Sequence, residues 1–268
     1  MTDDIPMIID ANGEQRRLGS LLPPAGFVSS LPTFEKEYPV WEDAQIRKIV
    51  TDPNRKPSRV RFDSSWIKQQ KSYGSCNGWA GASALSKARV KRGFKRIDLS
   101  GASLYSQING GRDRGSMLAD AMDAVQKNGI APESLVNADM IYPHLQPANA
   151  KAEALKHRGL IAYAVQTKQG FRTALAAGFP VIVAVHAGAR FQTFNKSGIA
   201  YVDWGAGNHA THCDDIQIVE GTEVYDMANS WGQQYGQQGR VYLTWESLEQ
   251  PWANHVAYAI GSTFDPED

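Results

Sequence analysis

Gln70-Lys-Ser-Tyr-Gly-Ser-Cys-Asn-Gly-Trp79 is the stretch on which the reading of this chain turns. A glutamine stands six residues before a cysteine. From Cys76 to Arg92 the residues are small, apolar or basic, and Gly93 follows. That pattern predicts a helix opening at Cys76 and stopping at Gly93. A thiol in the first turn of a helix lies at the positive end of the macrodipole, which favours thiolate over thiol. Gly74 permits a tight turn before the helix, and the short Ser75 leaves the approach open. The chemistry expected is a nucleophilic cysteine, set against the ordinary alternative of a small buried hydrophobe.

Outward from that stretch, composition narrows the classes. The 268 residues suit one large domain or two closely packed lobes. Lys plus Arg, 28, equals Asp plus Glu, 28, so no global field points to nucleic acid or an anionic membrane as partner. Two cysteines, Cys76 and Cys213, make no disulfide framework. The acidic start Met1-Thr-Asp-Asp-Ile-Pro6 has no apolar signal core, and no run approaches the roughly 20 apolar residues of a membrane span. The expectation is a cytoplasmic chain at synthesis, virion-associated if phage-encoded, that needs no cofactor.

Residues 1–58 hold seven of the thirteen prolines and read as a mostly extended or looped arm, with a short helix from Trp41 to Val50. The arm either lies on the domain formed by residues 59–268 or serves as a pro-segment or as a docking segment for a larger assembly. Past the Cys76 helix, a second helix is expected from Ser116 as N-cap to Asn128, closed by Gly129. Shorter ones are expected over 150–157 and 170–177. At Pro180-Val-Ile-Val-Ala-Val185 the pattern changes to a β-branched run, read as a buried strand. Further strands are expected over 199–202, 209–219, 223–228 and 240–243. Helices first and strands after predict an α+β protein with two lobes and a cleft between them.

The second half supplies what a cysteine nucleophile needs. A base must take the thiol proton and later protonate the leaving amine, and histidine suits both steps. A third group must orient the imidazole, and fixed donors must meet the developing oxyanion. Gln70, Cys76, a histidine near 209 and Asn229 could fill these roles. His209 and Asn229 follow Cys76 by 133 and 153 positions, near the roughly 130–150 of papain-type enzymes.

These residues carry a resemblance to the papain-like cysteine peptidases, probed by five blocks in the family's order across about residues 59–262. They are Gln70 with Gly74-Ser75-Cys76; Leu99-Ser100 with Asn109-Gly110-Gly111; Pro180-Val181 with Gly198-Ile199; Asn208-His209-Ala210; and Asn229-Ser230-Trp231-Gly232 running through Gly236 to Gly239. The resemblance implies a helical left lobe with the nucleophile and a β-barrel-like right lobe. It further implies Cys76 as nucleophile, His209 as acid and base, Asn229 as orienter, Gln70 as oxyanion donor and Trp231 as a shield over the Asn229–His209 pair. Gly111, beside Gly110, would pair with substrate main chain, and Ala184 and Ala210 would line the main specificity pocket.

Departures accompany the matches. Asn77 stands where the family usually has tryptophan, Tyr73 replaces a disulfide cysteine, and residues 1–58 contain no recognisable family prosegment. His212 is the rival base, 17 positions before Asn229, with a hairpin expected at Glu220-Gly221. A metal site built from His209, His212, Cys213 and Asp214 is disfavoured because side chains alternate along a strand. Lys87, Arg89, Lys91 and Arg92 read as a solvated face complementing the helix dipole. Two function classes follow. One is a thiol endopeptidase acting on peptide or protein, with Cys76 expected to label rapidly at neutral pH. The other is a non-catalytic papain-like module within a larger assembly.

Overall fold

A computed structural model of the chain describes residues 5–254 and 256–262, so His255 lies outside the described residues. The arm opens as a hairpin, β1 (Met7–Ile9) against β2 (Gln15–Arg17). Its turn is tied by Asp10, whose carboxylate accepts the N–H groups of Asn12 and Glu14. β3 (Ser20–Leu21) follows, then α1 (Phe34–Glu37) and α2 (Asp43–Val50). The helix expected from Trp41 thus begins two residues later. Ile46 is buried and Trp41 and Val50 pack against the same core. α3 (Ser58–Arg61) leads into the lobes.

The helix predicted from Cys76 is α4 (Cys76–Lys91), buried along nearly its whole length. Small residues make that possible. A Cβ at Gly78 would overlap the Gly101 carbonyl, so α5 (Gly101–Ile108) can lie directly against it. β4 (Ser116–Met117) and α6 (Leu118–Lys127) come next. Ser116, expected as the helix cap, instead belongs to β4, and Gly129 closes the helix end at φ +70°. α7 (Ala150–Leu155) completes the helical lobe.

The second lobe is a six-stranded antiparallel sheet. β5 (Ile161–Val165), α8 (Lys168–Ala176) and β6 (Val181–Val185) precede the long β7 (His209–Val219). β8 (Thr222–Ala228), β9 (Arg240–Leu243), α9 (Trp245–Asn254) and β10 (Ala257–Ser262) follow. The strand order is β5-β10-β6-β7-β8-β9. One face of the sheet buries Val181, Val183, Cys213 and Met227 with Phe34 and Phe171; the other presents Ile182, Ala210 and Tyr258 to α4 and α6. The period of two in β6 and β7 divides these residues between the lobes.

Two expectations are corrected. Residues 199–202 form no strand; Ile199 and Ala200 make only isolated bridges, to Tyr242 and Phe194. Lys87 and Arg89 are fully buried, not solvated. The end of α4 runs under β7, where Asp214 accepts from Lys87 and Arg240, each at 2.6 Å. Asp214 is ionised in this setting: burial opposes it, but the surrounding cations hold it well below the usual carboxylate range.

Candidate active site

Cys76 begins α4, and its sulfur meets the backbone N–H of Ala210 at the start of β7. The first turn of one lobe therefore touches the strand end of the other. His209, the neighbour of Ala210, is paired with Val185 across β6–β7, and its ring lies on the Trp231 side of the sheet. Its Nε2–H donates to Asn229 Oδ1 at 2.8 Å. The Ser230 N–H donates to the same oxygen at 2.8 Å, which fixes that atom as the acceptor and the ring as the donor. Nδ1 is buried without a hydrogen-bond partner and is the nitrogen left to accept a proton. Trp231 covers the pair, with ring centroids 4.8 Å from His209, and Phe191 adds an edge contact at 5.8 Å. An apolar cover of this kind excludes water and strengthens the hydrogen bond beneath it.

Gln70 is buried and doubly tied to the segment carrying Asn229. Its N–H donates to the Ser230 carbonyl at 2.7 Å, and Ser230 Oγ donates to its Oε1 at 2.6 Å. The amide NH₂ is thereby turned away from Ser230, donating to the Tyr73 carbonyl at 2.8 Å. Asn77, the departure after the cysteine, donates through Nδ2 to the Ser116 carbonyl at 2.6 Å and so ties α4 to β4. Its role is to position that edge.

The cleft itself is filled by the arm. β3 runs parallel to β4, Ser20 opposite Ser116. Ser116 N–H donates to the Gly19 carbonyl at 2.9 Å, and Ser20 N–H donates to the Asn208 carbonyl at 3.0 Å. The Gly19 N–H is among the backbone dipoles that favour the Cys76 thiolate, and Gln70 Nε2 reaches the Arg17 carbonyl at 3.4 Å. Cys76 is 0 % exposed as a result. Burial pushes its thiol up to about 11, against the backbone donors that favour the thiolate, and pushes His209 down to about 4. The dipole argument for a lowered thiol pKa is therefore outweighed by desolvation while the arm is in place. Rapid labelling of Cys76 is not to be expected of the covered chain.

Arg16 anchors this arm. It is 1 % exposed and donates to Asp10 at 2.8 Å, to Gln69 Oε1 at 2.8 Å, to Glu14 and to the Trp231 carbonyl. Leu18, next along, is buried in the core of the sheet lobe. Arg16 and Gly19 were not identified from sequence, and Ser116, Asn208 and Ser230 appeared there only as a helix cap or within motifs, with no role assigned. Their roles are backbone approaches and side-chain ties between distant segments, for which no local pattern exists.

Gly110 and Gly111 sit in a turn in which Asn109 Oδ1 accepts the Gly111 N–H at 2.8 Å. Ser116, five positions beyond Gly111, forms the edge that hydrogen-bonds an extended chain. Ala184 and Ala210 are cross-strand partners and both are buried. His212, on β7, faces Ser83, two turns along α4 from Cys76, lies within reach of Lys87 Nζ at 2.9 Å and Asp214 at 3.2 Å, and belongs to the inter-lobe ion cluster. Cys213 is core. No group of three or more His, Cys, Asp or Glu side chains among the described residues is arranged to hold a metal, and among them no helix is long and apolar enough to cross a membrane.

The family model for papain family cysteine proteases matches residues 55–260. Cathepsin K of Mus musculus is 26% identical over 186 residues, covering 66% of this chain and 55% of the relative; cathepsin K of Gallus gallus is 27% identical over 188 residues, covering 66% and 54%. The chain thus spans about half the length of the curated relatives it matches. Among solved structures, xylellain, a cysteine protease from Xylella fastidiosa, superposes with a TM-score of 0.66 at 18% identity over 91% of this chain and 95% of that one. ProCathepsin B S9 from Trypanosoma congolense gives 0.67 at 17% identity over 91% and 85%.

Proposed function

This chain belongs to the papain family of cysteine proteases, and from that membership we propose that it is a cysteine endopeptidase held latent by its own arm. In the active form His209 Nδ1 takes the Cys76 proton and the thiolate attacks the peptide carbonyl carbon. The oxyanion is met by Gln70 Nε2 and the Cys76 N–H. The imidazolium then protonates the leaving amine, and a thioester remains on Cys76. Water, deprotonated by His209, hydrolyses it and restores the thiol. Asn229 holds the ring for both transfers, and Trp231 keeps water from that hydrogen bond.

The observation that carries this reading is the Nε2–H bond to Asn229 with Nδ1 left free beside the strand end that touches the sulfur. Substrate main chain is expected on Ser116, where the arm now pairs, and the small side chains of Ala184 and Ala210 would leave room for an apolar residue. The arm acts as an inhibitor by occupation: Gly19 and Ser20 take up the hydrogen bonds of Ser116 and Asn208 and leave the thiol buried. Residues 1–58 act here as a pro-segment in place, whatever else they dock.

A second reading, a non-catalytic module, is favoured by one observation: a fully buried thiol and an imidazole pushed down to about 4 leave the resting site silent. Peptide hydrolysis by the chain with its arm displaced separates the two. Turnover abolished by Cys76→Ala and by His209→Ala is expected of the peptidase. No turnover and no faster alkylation of Cys76 after displacement would establish the module.

A further inference from the structure

At the far end of α4 from Cys76, roughly 20 Å along the helix, the two lobes border an open cavity of about 410 Å³. Its cations are Arg55, Lys56, Arg61, Lys91 and Arg92, against two carboxylates, Asp214 and Asp215. Both carboxylates are already engaged. Asp215 takes Arg55 and the Ser58 N–H, the latter at 2.8 Å; Asp214 takes Lys87 and Arg240 from behind the wall. Lys91 Nζ donates only to the Asp214 main-chain oxygen at 3.1 Å, and Arg61 to the Val90 main-chain oxygen at 2.9 Å. Among the described residues no ion pair joins Lys56, Arg61, Lys91 or Arg92 to a carboxylate.

Four cations without a carboxylate partner line one concavity and repel one another; Lys56, Arg61 and Arg92 are exposed, and at Lys91 burial adds to the cost. Lys91 registers both effects: burial first, then Arg61, Arg55 and Arg240, push its ammonium down to about 8 despite the nearby Asp214. The carbonyls at the end of α4 would repel an anion, but Arg61 already covers that of Val90. The opposite wall, with Leu175, Phe179 and Ile260, is apolar and closes the space to the size of a small molecule.

We propose that this cavity binds a small, multiply charged anion of the phosphate class, held between Arg61, Lys91 and Arg92 and bridging the helical lobe to the sheet lobe. One competitor is written in the sequence. Ile260 and Gly261 line the cavity, and the chain beyond Ser262 carries Asp265, Glu267 and Asp268.

The test is calorimetric titration of inorganic pyrophosphate into the full chain at fixed ionic strength. Saturable binding at one site is expected, weakened at least tenfold in Arg61→Gln/Arg92→Gln, where both side chains are exposed and folding is retained. Binding should be unchanged in Lys48→Gln, a distant exposed cation, and equally tight in Asp265→Asn/Glu267→Gln/Asp268→Asn. Three results would overturn the proposal: no saturable binding to the full chain, binding indifferent to the double substitution, or binding that appears only when the acidic residues are neutralised. The last would make the acidic segment that carries Asp265, Glu267 and Asp268 the occupant.

Discussion

Gly19 lies so close to Gly74 that a Cβ built on it would overlap the Gly74 carbonyl oxygen. On the other side, the Gly19 carbonyl would stand 2.6 Å from a Cβ on Gly115. The arm crosses the nucleophile through a slot that only glycine backbone fits.

Gly19→Val should therefore expel the arm from the cleft while leaving the lobes folded. The obstacle is backbone on Gly74, which cannot rotate away as a side chain would. The hydrogen bonds lost at the cleft, from Ser116 and to Asn208, are each worth about 0.5–1.5 kcal/mol net, so the segment over the thiol can lift while Arg16 and Leu18 still hold the arm beside it. The measurement is second-order alkylation of Cys76 by iodoacetamide. A rise of at least tenfold is expected in the variant, absent when Cys76→Ala is added. An unchanged rate with unchanged melting would mean that the arm does not guard the thiol.

The same displacement should move the pH profile of alkylation. Under the arm, burial pushes the thiol up to about 11 and His209 down to about 4, so the pair is neutral near pH 7. Readmitted water removes most of that desolvation and leaves the helix end and the backbone donors to favour thiolate. Reactivity of the intact chain should climb into the alkaline range, whereas Gly19→Val should reach its plateau at lower pH. His209→Ala in the Gly19→Val background should return the profile toward that of an ordinary thiol. Superimposable profiles for the intact and displaced forms would remove desolvation as the cause.

Much of this architecture was legible residue by residue. β7 and β9 occupy their expected spans, and the Glu220-Gly221 hairpin has both residues at positive φ, because alternation and turn chemistry are local. The Cys76 helix was legible for the same reason. Gly110 and Gly111 stand in a turn, as their local chemistry indicates, whereas the meeting of Ser116 with an extended chain could not be read, since its partner Ser20 lies 96 positions away. The burial of Lys87 could not be read, since its partner Asp214 lies 127 positions away on another lobe. Nor could the arm's place in the cleft, since a lone Gly-Ser step in an extended segment has no periodicity.

Lys87 makes that long-range tie testable. Its ammonium bridges α4 to Asp214 and His212 with no exposure to solvent. Lys87→Met keeps the length and apolar stem but removes the charge, leaving Arg240 alone to balance Asp214. Losing one partner of a buried ion pair typically costs about 3–5 kcal/mol, and Arg240 should hold the loss to the low end. Chemical denaturation should show destabilisation of about 3 kcal/mol, restored in part by Lys87→Met/Asp214→Asn, since a neutral amide no longer needs the cation. A single substitution that leaves stability unchanged would assign the whole of Asp214's compensation to Arg240.

Acid should unfold the chain earlier than its carboxylates alone would dictate. His209 and His212 are both pushed down to about 4, chiefly by burial, with Lys87 adding to the effect at His212. An unfolded histidine titrates near 6.5, so between those values the unfolded chain binds protons that the native one refuses. Stability from these groups is complete above about pH 6.5 and is lost as pH falls toward 4, on the order of 3 kcal/mol for each imidazole. Melting temperatures taken from pH 7 to pH 4 should fall steeply. The slope should flatten in His212→Gln, which keeps a polar side chain for Lys87 and Asp214 but cannot titrate. A slope identical in that variant would mean that His212 is protonated in the native state, paired with Asp214, and the acid sensitivity would then rest on His209.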